Sequence, residues 1–156
     1  MMAKRWMLSL VVGVCCLMQT TSTKAEMALN PDVRQDTIGE TICTKGYTKS
    51  VRPSAIYTNG VKQILMREAS IDELHIDDYQ LDHIVPLSLG GHPRARDNLR
   101  LQLLDGEFGA KRKDRLEVKM QCLVCSGQVP LNTAQEAIYR DWVASYHSYA
   151  KLKCDR

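Results

Sequence analysis

Beyond residue 18 the chain has no long apolar run, and it contains no internal repeat and no low-complexity tract. The first absence leaves nothing that reads as a transmembrane helix in the body of the chain, because a bilayer needs roughly 20 consecutive apolar residues. The composition also excludes collagen, a coiled coil and extensive disorder. Charge of one sign is lacking as well, once the first residues are set aside. Met1–Ala25 reads as a signal peptide: Lys4 and Arg5 open it, an apolar stretch of about 13 residues runs from Trp6 to Met18, and Gln19–Lys24 forms a polar tail. Removing it takes Lys4, Arg5 and Lys24 but no acid, so the formal +3 becomes 18 basic against 18 acidic residues. Bulk charge therefore gives no reason to expect a polyanion partner; any such site must come from local clustering. Roughly 130 remaining residues suit one domain with one core. The expected division is a signal peptide at 1–25, a polar, loosely ordered segment at 26–42, and a single domain at 43–156.

Cys43, Cys122, Cys125 and Cys154 remain after cleavage. Four thiols in an exported chain predict two disulfides, with three possible connectivities. Cys122 and Cys125 form a CxxC, which also fits half of a zinc site or a redox dithiol. Zinc ribbons need a second close pair, and a thioredoxin-like site needs a strand before and a helix after; neither is visible here. No second hydrophobic run follows the leader, so the mature protein is expected to have no membrane span; cleavage of the leader places it as secreted or periplasmic, and it is expected to be a monomer.

The rest of the pattern is mixed. A short helix is expected from about Asn59, with Val61, Ile64 and Leu65 on one side, and Ser70 with Glu73 has capping-box spacing. Tyr79–Val85 alternates like a strand that Pro86 stops. Gly90-Gly91 sits in a turn-rich loop, and Leu99–Leu103 is a second alternating strand. From Gly109 to Leu123 the period becomes helical, with Leu116, Met120 and Leu123 on one stripe. A last helix is expected to open on a capping box at Thr133–Glu136, with Ala134, Ile138, Trp142, Ser145 and Tyr149 facing inward.

Strand, glycine loop, strand, helix is the informative order, and its chemistry lies at Asp82-His83 and Asn98. Neutral histidine accepts a proton near neutral pH, and aspartate is a hard oxygen ligand suited to magnesium or manganese. Adjacent strand residues point to opposite faces, so Asp82 and His83 serve one site only where the strand bends or ends. The run Leu81-Asp82-His83-Ile84-Val85-Pro86-Leu87-Ser88-Leu89-Gly90-Gly91, continuing to Asp97-Asn98-Leu99, resembles the HNH endonucleases, which have the ββα-metal fold. The flanks, with Gly46-Tyr47-Thr48, Val51-Arg52-Pro53 and Val124-Cys125-Ser126-Gly127, resemble a group of small exported bacterial proteins sharing that centre.

The resemblance implies an α+β fold, a hairpin crossed by a helix, with further helices around it and disulfides closing it. It also implies a divalent metal ion, magnesium or manganese, and a nucleic-acid substrate, DNA ahead of RNA. By the same resemblance His83 is the general base, Asp82 a metal ligand, and Asn98 either orients His83 or completes the metal shell. Where a typical member has a histidine, nine residues after the asparagine, this chain has Glu107, and Asp105 and Asp114 are further candidates. Two functions follow from different classes: a metal-dependent endonuclease with little sequence specificity, or an exported binding or structural protein that keeps the scaffold without hydrolysis.

Arg94, Arg96, Arg100, Lys111, Arg112, Lys113 and Arg115 form the densest basic cluster, and sharing one face they would hold a phosphate backbone without reading bases. No aromatic residue interleaves with them, so a stacking platform is not indicated. His92 and His147 read as surface residues, and His75 as part of a solvated acidic loop.

Overall fold

The computed structural model describes residues 26–154, so the expected signal peptide lies outside the described residues. Two antiparallel strands, β1 (Tyr79–His83) and β2 (Leu99–Leu103), pair in the register Asp82 to Arg100 and His83 to Leu99. Four helices surround them: α1 (Tyr47–Val51), α2 (Ala55–Glu68), α3 (Ala110–Cys125) and α4 (Leu131–Tyr149). The fold is α+β. None of the described helices is long and apolar enough to cross a membrane.

Ser54 caps α2 by accepting from the Tyr57 N–H, so that helix begins earlier than Asn59. Leu65 and Met66 are its buried residues, while Ile64 is exposed. It packs against both strands. Asp72, rather than Ser70, caps the short 3-10 segment that leads into β1. On α3 the stripe Leu116, Met120 and Leu123 is buried as expected. On α4, which begins at Leu131 with Pro130 before it rather than at Thr133, Ala134, Ile138, Trp142 and Ser145 face inward. Asp141 breaks the α4 helix at φ −159°, ψ 91°, and its carboxylate accepts from the Ala144 N–H, recapping the second half. Leu89 and Val85 from the hairpin loop complete a core with α3 and α4. Each large apolar side chain withdrawn from water there contributes about 1.5–3 kcal/mol.

Residues 26–42 are not loosely ordered. Val33 and Ile42 are buried in that core, and the segment straps the hairpin loop: Asn30 N–H donates to Gly90 O at 2.8 Å and His92 N–H to Ala28 O at 2.9 Å. Thr37 Oγ1 and Thr41 Oγ1 stitch its turns with bonds of 2.7 Å to Asp32 O and Thr37 O.

The disulfides are Cys43–Cys125 and Cys122–Cys154, with Cα separations of 5.5 and 6.0 Å. The two CxxC cysteines thus go to different partners, which removes the zinc and redox-dithiol alternatives. They close loops of 82 and 32 residues. Loop entropy scales with the logarithm of length, so removing Cys43–Cys125 as a paired alanine variant should cost about 1 kcal/mol more than removing Cys122–Cys154. Urea unfolding of the two variants measures the difference.

Candidate functional site

The strand β1 stops at His83, and the ladder is prolonged by one bond, Ile84 N–H to Asn98 O at 2.8 Å. This ending lets Asp82 and His83 line one cleft of about 350 Å³ together with Thr48, Arg52, Asp114 and Glu117. Their polar ends nonetheless face different partners.

His83 is 8% exposed. Its Nε2 lies 3.1 Å from Pro93 O. A carbonyl only accepts, so Nε2 carries the proton and Nδ1 holds the lone pair. Burial pushes the imidazole below its ordinary range; the Pro93 bond and the Asp82 charge act the other way, and the Arg52 and Lys113 charges add to the lowering. The ring is therefore neutral at neutral pH, with a free basic nitrogen.

Asn98 has every amide atom committed. Its Oδ1 accepts from Val85 N–H at 2.8 Å, and its Nδ2 donates to Val85 O and His92 O, both at 3.0 Å. It ties the two ends of the hairpin loop together. Because His92 O is next to Pro93, the tie also sets where the His83 anchor sits. His92, half-buried rather than purely on the surface, adds to this loop: its Nδ1 accepts from the Arg94 and Ala95 N–H groups at 3.1 and 2.9 Å. His75 pairs with Asp78 in the exposed loop and His147 is exposed beside Arg112.

Lys113 corrects the reading of the basic cluster. It is 0% exposed. Its ammonium donates to His83 O at 2.7 Å and Glu117 Oε1 at 2.6 Å, and lies 2.9 Å from Asp82 Oδ2. A buried lysine cannot grip a phosphate backbone. Most of the others are answered by acids: Arg96 by Glu68, Arg100 by Asp82 at 3.7 Å, Lys111 by Asp105, Arg112 by Glu107 at 3.5 Å. Arg94 stacks over Tyr57, and Arg115 is exposed. The seven do not make a free basic face.

The expected metal ligands do not fit a metal. Asn98 Oδ1 is taken by a backbone N–H, Glu107 is an exposed partner of Arg112, and Asp82 faces an ammonium where a cation would sit. Among the described residues no group of three or more His, Cys, Asp or Glu side chains is placed to hold an ion.

Sequence reasoning places Lys113 only in the basic cluster, and assigns no site role to Glu117 or Arg52, both of which line the cleft. Lys113 sits three positions before Leu116, on the apolar stripe of α3, and that spacing was the available signal. Glu117, one turn further on, follows from it. Arg52 caps the C-terminus of α1, and is exposed with no carboxylate within ion-pair distance among the described residues. Its charge reaches both His83 and Asp114.

Burial raises the Glu117 carboxyl to about 7 despite the Lys113 ammonium beside it. The folded protein then holds a proton that the unfolded chain has lost, so stability falls as pH rises from about 4.5 to about 7. The full shift would correspond to about 3 kcal/mol. Glu117→Gln should flatten this fall, read as the difference between variant and wild type in urea unfolding at pH 5 and pH 8.

Comparison of this chain with family models, with curated proteins and with solved structures found no match.

Proposed function

We propose that this protein is an exported phosphodiesterase of the HNH kind, with His83 as general base and Arg52 as the phosphate anchor. The observation that carries this reading is His83 itself: a buried, neutral imidazole, held at Nε2 by Pro93 O, in a cleft shared with an unpaired guanidinium. The motif order supports it, since the Asp-His pair ends β1, a glycine loop follows and Asn98 precedes β2. Two disulfides suit an oxidising compartment and hence export.

Nδ1 takes the proton of a water molecule as its oxygen attacks phosphorus. The phosphorus–oxygen bond to the leaving group breaks, that oxygen takes a proton from solvent water, and His83 Nδ1 returns its own to solvent. The Arg52 guanidinium offsets the charge that builds on the non-bridging oxygens. The Lys113 ammonium does not reach the substrate; it neutralises Asp82 and holds the His83 carbonyl, which fixes the strand end. A divalent ion has no step in this scheme, because the side chains expected to ligate it are engaged elsewhere.

The decisive experiment is cleavage of plasmid DNA, RNA and a generic phosphodiester by wild type and His83→Ala. The variant should lose at least about a hundredfold, the lower end of what a general base contributes. The acid limb of the wild-type rate profile should lie below the ordinary histidine range, because the free base persists to lower pH. A wild type that cleaves none of the three substrates selects the second reading, a binding scaffold without hydrolysis. That reading is favoured by one observation, the commitment of Asp82 to Lys113.

A further inference from the structure

Between Glu40 and Glu68 the chain has no acidic residue, but it carries Lys45, Lys49, Arg52, Lys62 and Arg67. The first three lie before, on and at the C-terminal end of α1, and all three are exposed. Lys62 is half-buried on α2. Among the described residues none of these four has a carboxylate within ion-pair distance, in contrast to the 94–115 cluster, most of whose charges are neutralised.

Three depressions adjoin along this wall. One, of about 800 Å³, is lined by Lys45 and Thr48. The cleft containing His83 shares Thr48 with it and adds Arg52. The third, of about 460 Å³, shares Arg52 and His83 with the cleft and ends at Lys62. The groove therefore runs past His83 with a cation before it, beside it and after it.

We infer that this groove is the track for the substrate: a polyphosphodiester strand lies along the α1–α2 wall, gripped by Lys45, Arg52 and Lys62 in the groove and by Lys49 on the exposed α1 surface beside it, and brings one phosphate to His83. The inference rests on the phosphodiester reading above and names the surface that binds it. The strand keeps to that wall because the opposite one carries Asp114 and Glu117. Point charges on flexible stems hold a backbone without reading bases, so sequence preference is weak.

Binding is measured by fluorescence anisotropy in the full mature chain carrying His83→Ala, which separates binding from cleavage. The probes are a labelled 20-residue DNA strand, its duplex and an RNA strand, titrated from low to physiological salt, with heparin as a polyanion lacking phosphate. The parent should lose affinity steeply with salt, since each phosphate contact releases counterions. Lys45→Gln/Lys49→Gln/Arg52→Gln/Lys62→Gln should weaken binding at least tenfold and flatten the salt slope by about 3 for a strand or duplex. Arg94→Gln/Lys111→Gln/Arg115→Gln should bind like the parent. Equal loss in both variants, no loss in the first, or heparin binding as tightly as nucleic acid overturns the track. Tight, salt-dependent binding beside an inactive wild type leaves the track standing and removes only hydrolysis.

Discussion

Gly91→Ala is expected to cost about 4 kcal/mol or more and to leave little folded protein at 37 °C. A Cβ on Gly91 would lie 1.7 Å from Val85 O, 2.6 Å from Val85 C and 2.7 Å from Asn98 Nδ2. Two of those atoms are backbone in the core, and the third belongs to a side chain whose bonds are all in use, so no flexible group can give way. Pushing the Val85 carbonyl aside breaks its bond from Asn98 Nδ2, and strains the bond from Gly91 N–H to Pro86 O at 3.0 Å. The pairing of Leu29 with Gly91, through which the 26–42 strap is tied down, would be disturbed too. Each buried polar group left without a partner adds about 1–3 kcal/mol. Gly60→Ala is the control. It sits inside α2 with nothing within 4 Å of a new Cβ, and alanine there should stabilise by about 0.5–1 kcal/mol. Thermal unfolding separates the two, and a Gly91→Ala protein melting within a few degrees of wild type would remove this loop as the clamp of the site.

The elements with a clear period were legible. Alternation marked both strands, and the 3.6-residue period marked α3 and α4, because each buries one continuous stripe. The 26–42 strap was not legible. Its core residues, Val33 and Ile42, are few and far apart, and turns rather than a repeating element bring them inward. Cysteine number predicted two disulfides, but pairing depends on where α3 ends relative to Cys43, which no local pattern encodes. The site was half-legible: the Asp-His pair and Asn98 stood out by spacing, while Lys113 was counted by residue type as a surface charge. Arg96, Arg100 and Lys113 are answered by Glu68 and Asp82, acids 28, 18 and 31 positions away, so a local tally of charges overstates the patch. The unopposed cations at 45–62 form no motif and show only as a long absence of acids.

Lys113→Met should be the other severe change, at about 3–5 kcal/mol, the usual cost of removing one partner of a buried ion pair. Asp82 is 5% exposed, and without the ammonium its nearest cation is Arg100 at 3.7 Å. Glu117 would answer by staying protonated, as its raised carboxyl already favours, whereas Asp82 would lose the ammonium 2.9 Å from its Oδ2. The His83 carbonyl would lose its donor at the same time. Methionine fills nearly the same volume, so the loss would measure charge rather than a cavity. The combined variant Lys113→Met/Asp82→Asn/Glu117→Gln should recover much of it, because removing all the charges together ends the desolvation penalty that stranding one creates. Urea unfolding of the single and triple variants at pH 7 tests this, and a single variant within 1 kcal/mol of wild type would mean the cluster does not hold the strand end. The same cluster bears on metal. With a tethered ammonium already against Asp82, millimolar magnesium or manganese should leave the wild-type melting temperature unchanged, and a chelator should do the same. A stabilising shift with manganese that Asp82→Asn abolishes would show instead that the ion displaces Lys113 and restores the metal centre the motif implies.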